Sequence, residues 1–244
     1  MKQVAVLSDI HGNSWALEAV LEDMAKYQID TILNLGDILY GPLDPAGTYE
    51  LLHQIDQVAV QGNQDRIMIE GNEPDNPTLD FVLKSLDHEA MDWLRHLPQT
   101  ATVDDQLFLC HGTPEDDSVY LVEYIESGFP VIRSDEALKV FISGIDAAVI
   151  LCGHSHMRQW IRLSDGRFIL NPGSVGLPAY DDEHPAYHKM QSGSPFASYA
   201  ILTMDDGQPS IEWKLIPYDW QAAVRAARRN NREDWAEWLE TGRA

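Results

Sequence analysis

Cysteine is scarce. The 244 residues hold two, Cys110 and Cys152, each at the end of an apolar run, which excludes a disulfide-stapled scaffold and fits a reducing compartment. Long apolar runs are missing as well: no stretch approaches the roughly 18 residues of a membrane span. Ser8-Asp9 interrupts the opening apolar run before a signal-peptide core of about 7–15 residues can form. The expectation is a cytoplasmic protein with no membrane partner. Basic residues are few, 17 Lys plus Arg against 39 Asp plus Glu, for a formal net charge of -22. Binding a nucleic-acid backbone needs Lys and Arg to neutralise phosphates, so long nucleic acid is not an expected partner. A small anionic substrate stays open, because a bound metal can reverse the sign of the local field. What the chain does have is a hydrophobic content of 44% with 23% charged residues, the composition of a self-sufficient folded domain.

Val4 to Leu7 is a short apolar strand pattern that ends in Ser8-Asp9-Ile10-His11-Gly12-Asn13. Apolar residues then recur at helical spacing from Trp15 to Tyr27 (Leu17, Val20, Leu21, Met24). The unit repeats with a strand at Thr31 to Leu35, a loop from Gly36, and a helix at Ala46 to Gln54. A further strand at Gln57 to Val60 runs into Gly62-Asn63-Gln64-Asp65. Such alternation predicts an α/β domain whose ligands gather beyond the carboxyl ends of the strands. Helices are expected at Leu79 to Leu86, His88 to Leu97 and Ser134 to Ser143, and strands at Ala101 to Val103, Gln106 to Cys110 and Ala147 to Cys152. The second half is rich in hairpins, with turns at Ser164-Asp165-Gly166 and Asp205-Asp206-Gly207. Between them lies a long loop, 171–195. Helices at Trp220 to Arg232 and Glu233 to Leu239 close the chain. The whole, 1–244, reads as a single domain with 217–244 as a C-terminal helical extension.

Five short segments follow expected strands: Asp9-x-His11, Gly36-Asp37, Gly62-Asn63, His111-Gly112 and Gly153-His154-Ser155-His156. In extended backbone, residues two apart point the same way, so Asp9 with His11, and His154 with His156, would each present a pair of ligands together. Carboxylate, imidazole and carboxamide donors in one site suit Zn, Mn, Fe, Co or Ni. A carboxylate such as Asp37 can serve two cations at once. Two cations about 3.5–4 Å apart activate water and clamp the oxygens of an in-line displacement at phosphorus.

These segments, in this order, resemble the motifs of the calcineurin-like metallophosphoesterase superfamily over roughly residues 1–216. Asn171-Pro172-Gly173-Ser174 after the histidine pair resembles the small bacterial and archaeal phosphodiesterase branch. The resemblance implies a four-layer αββα sandwich with a dinuclear site. One metal would be held by Asp9, His11, Asp37 and His156, the other by Asp37, Asn63, His111 and His154, with Asp37 bridging. It implies metal-dependent attack on a small phosphoester, with inversion and no phosphoenzyme. Asp37, Asn63, Gln64 and His111 are the expected catalytic positions.

Two departures bear on substrate. Many superfamily members carry His after Gly-Asn, where this chain has Gln64, an amide that donates hydrogen bonds but no proton. The Arg that follows Gly-Asp in phosphoprotein phosphatases is replaced by Ile38-Leu39-Tyr40. A phosphodiesterase is therefore the first expectation, a phosphomonoesterase or dinucleoside-polyphosphate hydrolase the second, and a non-catalytic scaffold the last. Asn13, Arg66 and Arg158 are candidate substrate contacts, with Asn13 also placed to cap the first helix. His184, His188, Tyr180 and Tyr187 are candidates for a lid. Arg225, Arg228, Arg229 and Arg232 fall at spacings of three and four, a positive stripe suited to acids of the same fold or to a homo-oligomer contact.

Overall fold

The computed structural model describes residues 2–205 and 208–244, so the expected turn at 206 and 207 lies outside the described residues. The opening strand β1 (Lys2–Leu7) has alternating faces, and this period of two builds the layers. Val4 and Val6 point into a core shared with Leu107, Leu109, Val149 and Leu151, whereas Ala5 and Leu7 point into a second core shared with helices. β1 pairs in parallel with β2 (Thr31–Asn34) and antiparallel with β13 (Ala197–Asp205). With β3 (Val58–Ala59) and β14 (Gln208–Ile216) they form a sheet of order β14-β13-β1-β2-β3.

The second sheet has the order β4-β5-β8-β10-β9, from β4 (Ala101–Val103), β5 (Leu107–Leu109), β8 (Val149–Leu151), β9 (Gln159–Arg162) and β10 (Phe168–Asn171). Its central strand β8 is wholly apolar and buried, as a parallel strand covered on both faces must be. Residues of both sheets make the inner core. The outer face of the first sheet is covered by helices that include α1 (Ser14–Met24), α4 (Pro77–Ser85), α5 (His88–His96), α7 (Trp220–Arg229) and α8 (Glu233–Thr241). The outer face of the second is covered by α6 (Asp135–Phe141) and the segment around Leu121 and Val122. The layers are α, β, β, α, as the resemblance implied. Among the described residues no helix is long and apolar enough to cross a membrane.

Helix α1 begins where its sequence dictates. Asn13 Oδ1 accepts the Ala16 N–H at 3.1 Å, and Leu17, Val20 and Met24 bury one face. Apart from shifted ends, such as α7 stopping at Arg229 where a helix to Arg232 was expected, the elements differ from the sequence reading in three places. Residues Asn63–Glu70 form a helix, α3, capped at its left-handed Gly71, where no helix was expected. The segment before α6 holds a hairpin, β6 (Glu123–Glu126) and β7 (Phe129–Ile132). The long stretch 171–195 is not a loop throughout: β11 (Ala179–Asp182) and β12 (His188–Gln191) pair antiparallel within it.

Candidate metal centre

The site lies where the loops after β1, β2, β3, β5 and β8 meet. The first two loops continue the parallel pairing of their strands: the Asp9 N–H donates to Gly36 O at 3.0 Å, and the His11 N–H donates to Asp37 O at 2.9 Å. The loops after β5 and β8 of the second sheet are tied by the Gly153 N–H donating to His111 O at 2.7 Å, and the segment after β10 joins the two sheets, the Val175 and Gly176 N–H groups donating to Ser8 O and Asp9 O at 3.0 Å each. Asp9, His11, Asp37, His154 and His156 all have left-handed backbones, with φ of 55°, 53°, 54°, 66° and 58°. Asp and His tolerate this region better than most residues, yet each instance costs of order 1–3 kcal/mol, and surrounding structure must hold it. The extended geometry expected from the sequence is thus replaced by tight turns. Asp9 and His11 still converge, but His154 and His156 part company.

Two donor groups result. Asp9, His11 and His156 form one, and Asp37, His111 and His154 the other; in each, one ligand atom per residue lies within 4.8 Å of the rest. Asp37 sits between them, its Oδ2 3.3 Å from His111 Nε2 and 3.9 Å from His11 Nε2. Its other oxygen accepts the Gln64 backbone N–H at 2.9 Å. Asn63 Oδ1 lies 3.0 Å from His111 Nε2, so the carboxamide joins the second group.

The donors fit a cation, by two observations. His11 Nδ1 faces Tyr40 O at 3.0 Å and His156 Nδ1 faces Leu177 O at 2.7 Å, contacts that require each Nδ1 to carry the hydrogen. The remaining ring nitrogens, the two Nε2 atoms, are the ones free to bind a cation, and they face each other at 3.1 Å. Lone pairs repel at that distance unless a positive species lies between or beside them. Asp9 Oδ2, moreover, is buried without any hydrogen-bond partner. Burial, and then the neighbouring His156, hold the His11 imidazole down at about 4; burial and His111 do the same for His154. Both rings are neutral at pH 7, the form that binds metal. Burial alone would raise the Asp9 and Asp37 carboxyls, but the neighbouring histidines override it and hold both below the usual range.

One buried residue ties the loops together and escaped the sequence reading. Asp65, on α3, accepts the N–H groups of Asp37 at 2.8 Å, Ile38 at 3.0 Å and Gly62 at 3.0 Å. Burial and the Asp37 charge push its carboxyl up to about 7. Gly62 is required by crowding, since a Cβ there would collide with Asp37 Oδ1 and its backbone nitrogen.

The two groups open into a cavity of about 280 Å³, lined also by Tyr40, Gln64, Leu177, Tyr180, Asp181, Asp182, Arg232, Trp235 and Trp238. Of the candidate substrate contacts, Arg66 is held by Asp117 in a bidentate pair (2.7 and 2.8 Å) and Arg158 lines a different cavity. Asn13 is fully engaged, its Nδ2 donating to Gly176 O at 2.9 Å and to Tyr218 Oη at 3.1 Å. Of the lid candidates Tyr180 reaches the cavity, His188 is buried against Tyr120 Oη at 2.9 Å, and Tyr187 is half exposed. Both cysteines are buried with thiols pushed up by burial, and neither joins the donor groups.

Residues 1–207 match the family model described as the calcineurin-like phosphoesterase superfamily domain. The chain belongs to that superfamily. It is a metal-dependent phosphoesterase. The chain is 28% identical over 261 residues to the uncharacterized protein MJ0912 of Methanocaldococcus jannaschii, covering 95% of this chain and 94% of that one. It is 27% identical over 218 residues to the phosphodiesterase YfcE of Escherichia coli, covering 84% of this chain and 89% of that one. The crystal structure of a metallophosphoesterase from Sphaerobacter thermophilus superposes with a TM-score of 0.75 at 25% identity, covering 98% of this chain and 99% of the other.

Proposed function

We propose that this phosphoesterase hydrolyses small phosphodiesters at a two-metal centre, with Asp9, His11, Asp37 and His156 holding one cation and Asp37, Asn63, His111 and His154 the other. The observation that carries the reading is Asp37 Oδ2, which faces histidines of both donor groups at 3.3 and 3.9 Å. Two bound cations supply an activated water and neutralise charge on the phosphoryl oxygens. The residues of the chain do the rest. The Nδ1 contacts to Tyr40, Leu177 and Leu35 carbonyls fix the rings of His11, His156 and His111. Gln64 lines the cavity and donates hydrogen bonds without a proton to give, so esters with good leaving groups turn over fastest. The kinship with YfcE, named a phosphodiesterase, favours diesters over monoesters.

The test is one preparation supplied in turn with Mn, Zn, Fe, Co and Ni and assayed on cyclic nucleotides, aryl diesters, dinucleoside polyphosphates and monoesters. Two metals per chain and the highest kcat/KM on diesters are expected. A single metal per chain, a covalent phosphoryl-protein trapped during turnover, or loaded protein inert on the whole panel overturns the reading.

A further inference from the structure

The cavity carries one cationic side chain among its described lining residues, and it comes from neither arginine that the sequence motifs placed nearby. Arg232 precedes α8, and its guanidinium lies 5.4 Å from the centroid of Trp235. Trp235 in turn sets its ring edge against the His11 imidazole, 5.7 Å between centroids. The indole therefore packs near both the guanidinium and a ring of the first donor group. The group is held rather than free. Its Nε donates to Asp234 Oδ1 at 2.9 Å, one terminal nitrogen donates to Asp234 Oδ2 at 2.7 Å, and the other donates to Thr78 Oγ1. A guanidinium has five N–H donors, so two remain unspent, on a fork whose orientation is already fixed.

Charge around the cavity directs what can use those donors. Asp181 and Asp182 line the same cavity from the β11–β12 hairpin and repel an anion on their side. A volume of about 280 Å³ is near the lower bound of small-molecule sites, roughly 300–1,000 Å³, and exceeds what one phosphoryl group fills. The reacting phosphorus must sit against both donor groups, and Arg232 lines the same cavity beside them. We infer that Arg232 is a specificity-determining residue that takes a second anionic group of the substrate, a phosphoryl group beyond the reacting one. Preferred substrates are then small phosphodiesters that carry a further phosphate. The inference rests on the reading of this cavity as the phosphoester site and adds to it which phosphoesters bind best.

The experiment compares wild type, Arg232→Gln, Arg232→Lys and Arg229→Gln as manganese-loaded proteins of equal metal content. Binding of methylenebisphosphonate and methylphosphonate is read by intrinsic tryptophan fluorescence. The ratio of kcat/KM for a 5′-phosphorylated dinucleotide to that for the same dinucleotide without the 5′-phosphate is measured beside it. Arg232→Gln is expected to cut the bisphosphonate preference and the kcat/KM ratio about tenfold, the worth of a charge-assisted pair of hydrogen bonds. Arg232→Lys recovers part of this through charge without the fork. Arg229→Gln, on the exposed face of α7, keeps wild-type values. An unchanged preference and ratio in Arg232→Gln, or an equal drop in Arg229→Gln, overturns the inference. Should wild type hydrolyse no phosphoester while its bisphosphonate preference still depends on Arg232, the inference stands and the proposed reaction falls.

Discussion

The floor and the rim of the cavity are built on different physical principles. The floor donors lie on short loops directly after strands, and five of them sit in left-handed turns held by the cross-loop hydrogen bonds around Gly36, Asp37 and Asp65. The rim comes from a hairpin and from the end of the chain: Tyr180, Asp181 and Asp182 on one side, Arg232, Trp235 and Trp238 on the other. Five floor donors are held in left-handed turns, whereas the rim residues lie on a hairpin strand and on or just before α8. In the proposed reading the floor decides whether chemistry occurs, and the rim decides on what. Substitutions in the floor should act on metal content and kcat, and those in the rim on KM.

Asp37→Asn breaks the floor most completely. An amide keeps the shape but offers one oxygen where two are in use, and its NH2 would face either the Gln64 N–H or the histidines. We expect kcat to fall roughly 10³-fold, about 4 kcal/mol of barrier, with fewer than two metals retained per chain. Metal analysis beside steady-state kinetics checks this; full metal content with kcat within tenfold of wild type contradicts it.

A carboxylate behind the floor separates stability from chemistry. Glu123 is 2% exposed and its Oε1 has no hydrogen-bond partner. Burial pushes its carboxyl up to about 7 from an ordinary 4.5. Because the folded-state value is the higher, the native protein binds the proton more tightly. The stabilisation is complete below about 4.5 and is lost as pH rises through about 7, amounting to at most about 3 kcal/mol. Glu123→Gln cannot ionise. Its melting temperature should match wild type near pH 5 and exceed it at pH 8, a divergence that thermal scans across pH reveal; parallel curves would refute the assignment.

How much of this was legible in the sequence follows the same division. Each floor ligand comes after an apolar run, and glycine marks the point where the backbone must turn, so Asp9, Asp37, Asn63, His111 and the His154–His156 pair could be picked out one by one. Their left-handed geometry could not, because the residue types allow it without announcing it. Helix α3 was missed since Asn63-Gln64-Asp65-Arg66 opens it with polar residues and Asp65 bonds backbone outside the helix. The β11–β12 hairpin was missed because Asp181, Asp182 and Lys189 are poor strand formers. Arg232 was legible only as one member of a helical stripe, but α7 ends at Arg229, and Arg232 stands at the residue before α8 instead. Its stripe neighbours Arg225 and Arg228 meet acids of the same segment, Asp219, Glu233 and Glu240. A contact between the chain's end and the loop of His11 leaves no periodic trace.

Asp65→Asn tests whether the floor depends on residues that touch no metal. The three N–H donors it accepts would meet one oxygen and an NH2 group, so at least one buried donor is left unpaired. Metal affinity and kcat are expected to fall about 10–100-fold together, the usual cost of losing a group that orients ligands. A fall in KM-linked binding alone, with metal affinity unchanged, would place Asp65 outside the floor.

Tyr180→Phe has the smallest expected effect and draws the boundary of the rim. Tyr180 lies edge-on to His156, with 4.6 Å between ring centroids, and its Oη is 3.0 Å from the His154 carbonyl oxygen and 2.8 Å from Tyr120 Oη. Phenylalanine keeps the ring contact and gives up the hydroxyl, at about 1 kcal/mol of stability. Because the ring still walls the cavity and no ligand loses its Nδ1 partner, metal content should hold while KM rises a few-fold. A loss of metal comparable to that of Asp65→Asn would instead make Tyr180 part of the floor, and the division between where chemistry happens and what enters would run outside the β11–β12 hairpin rather than through it.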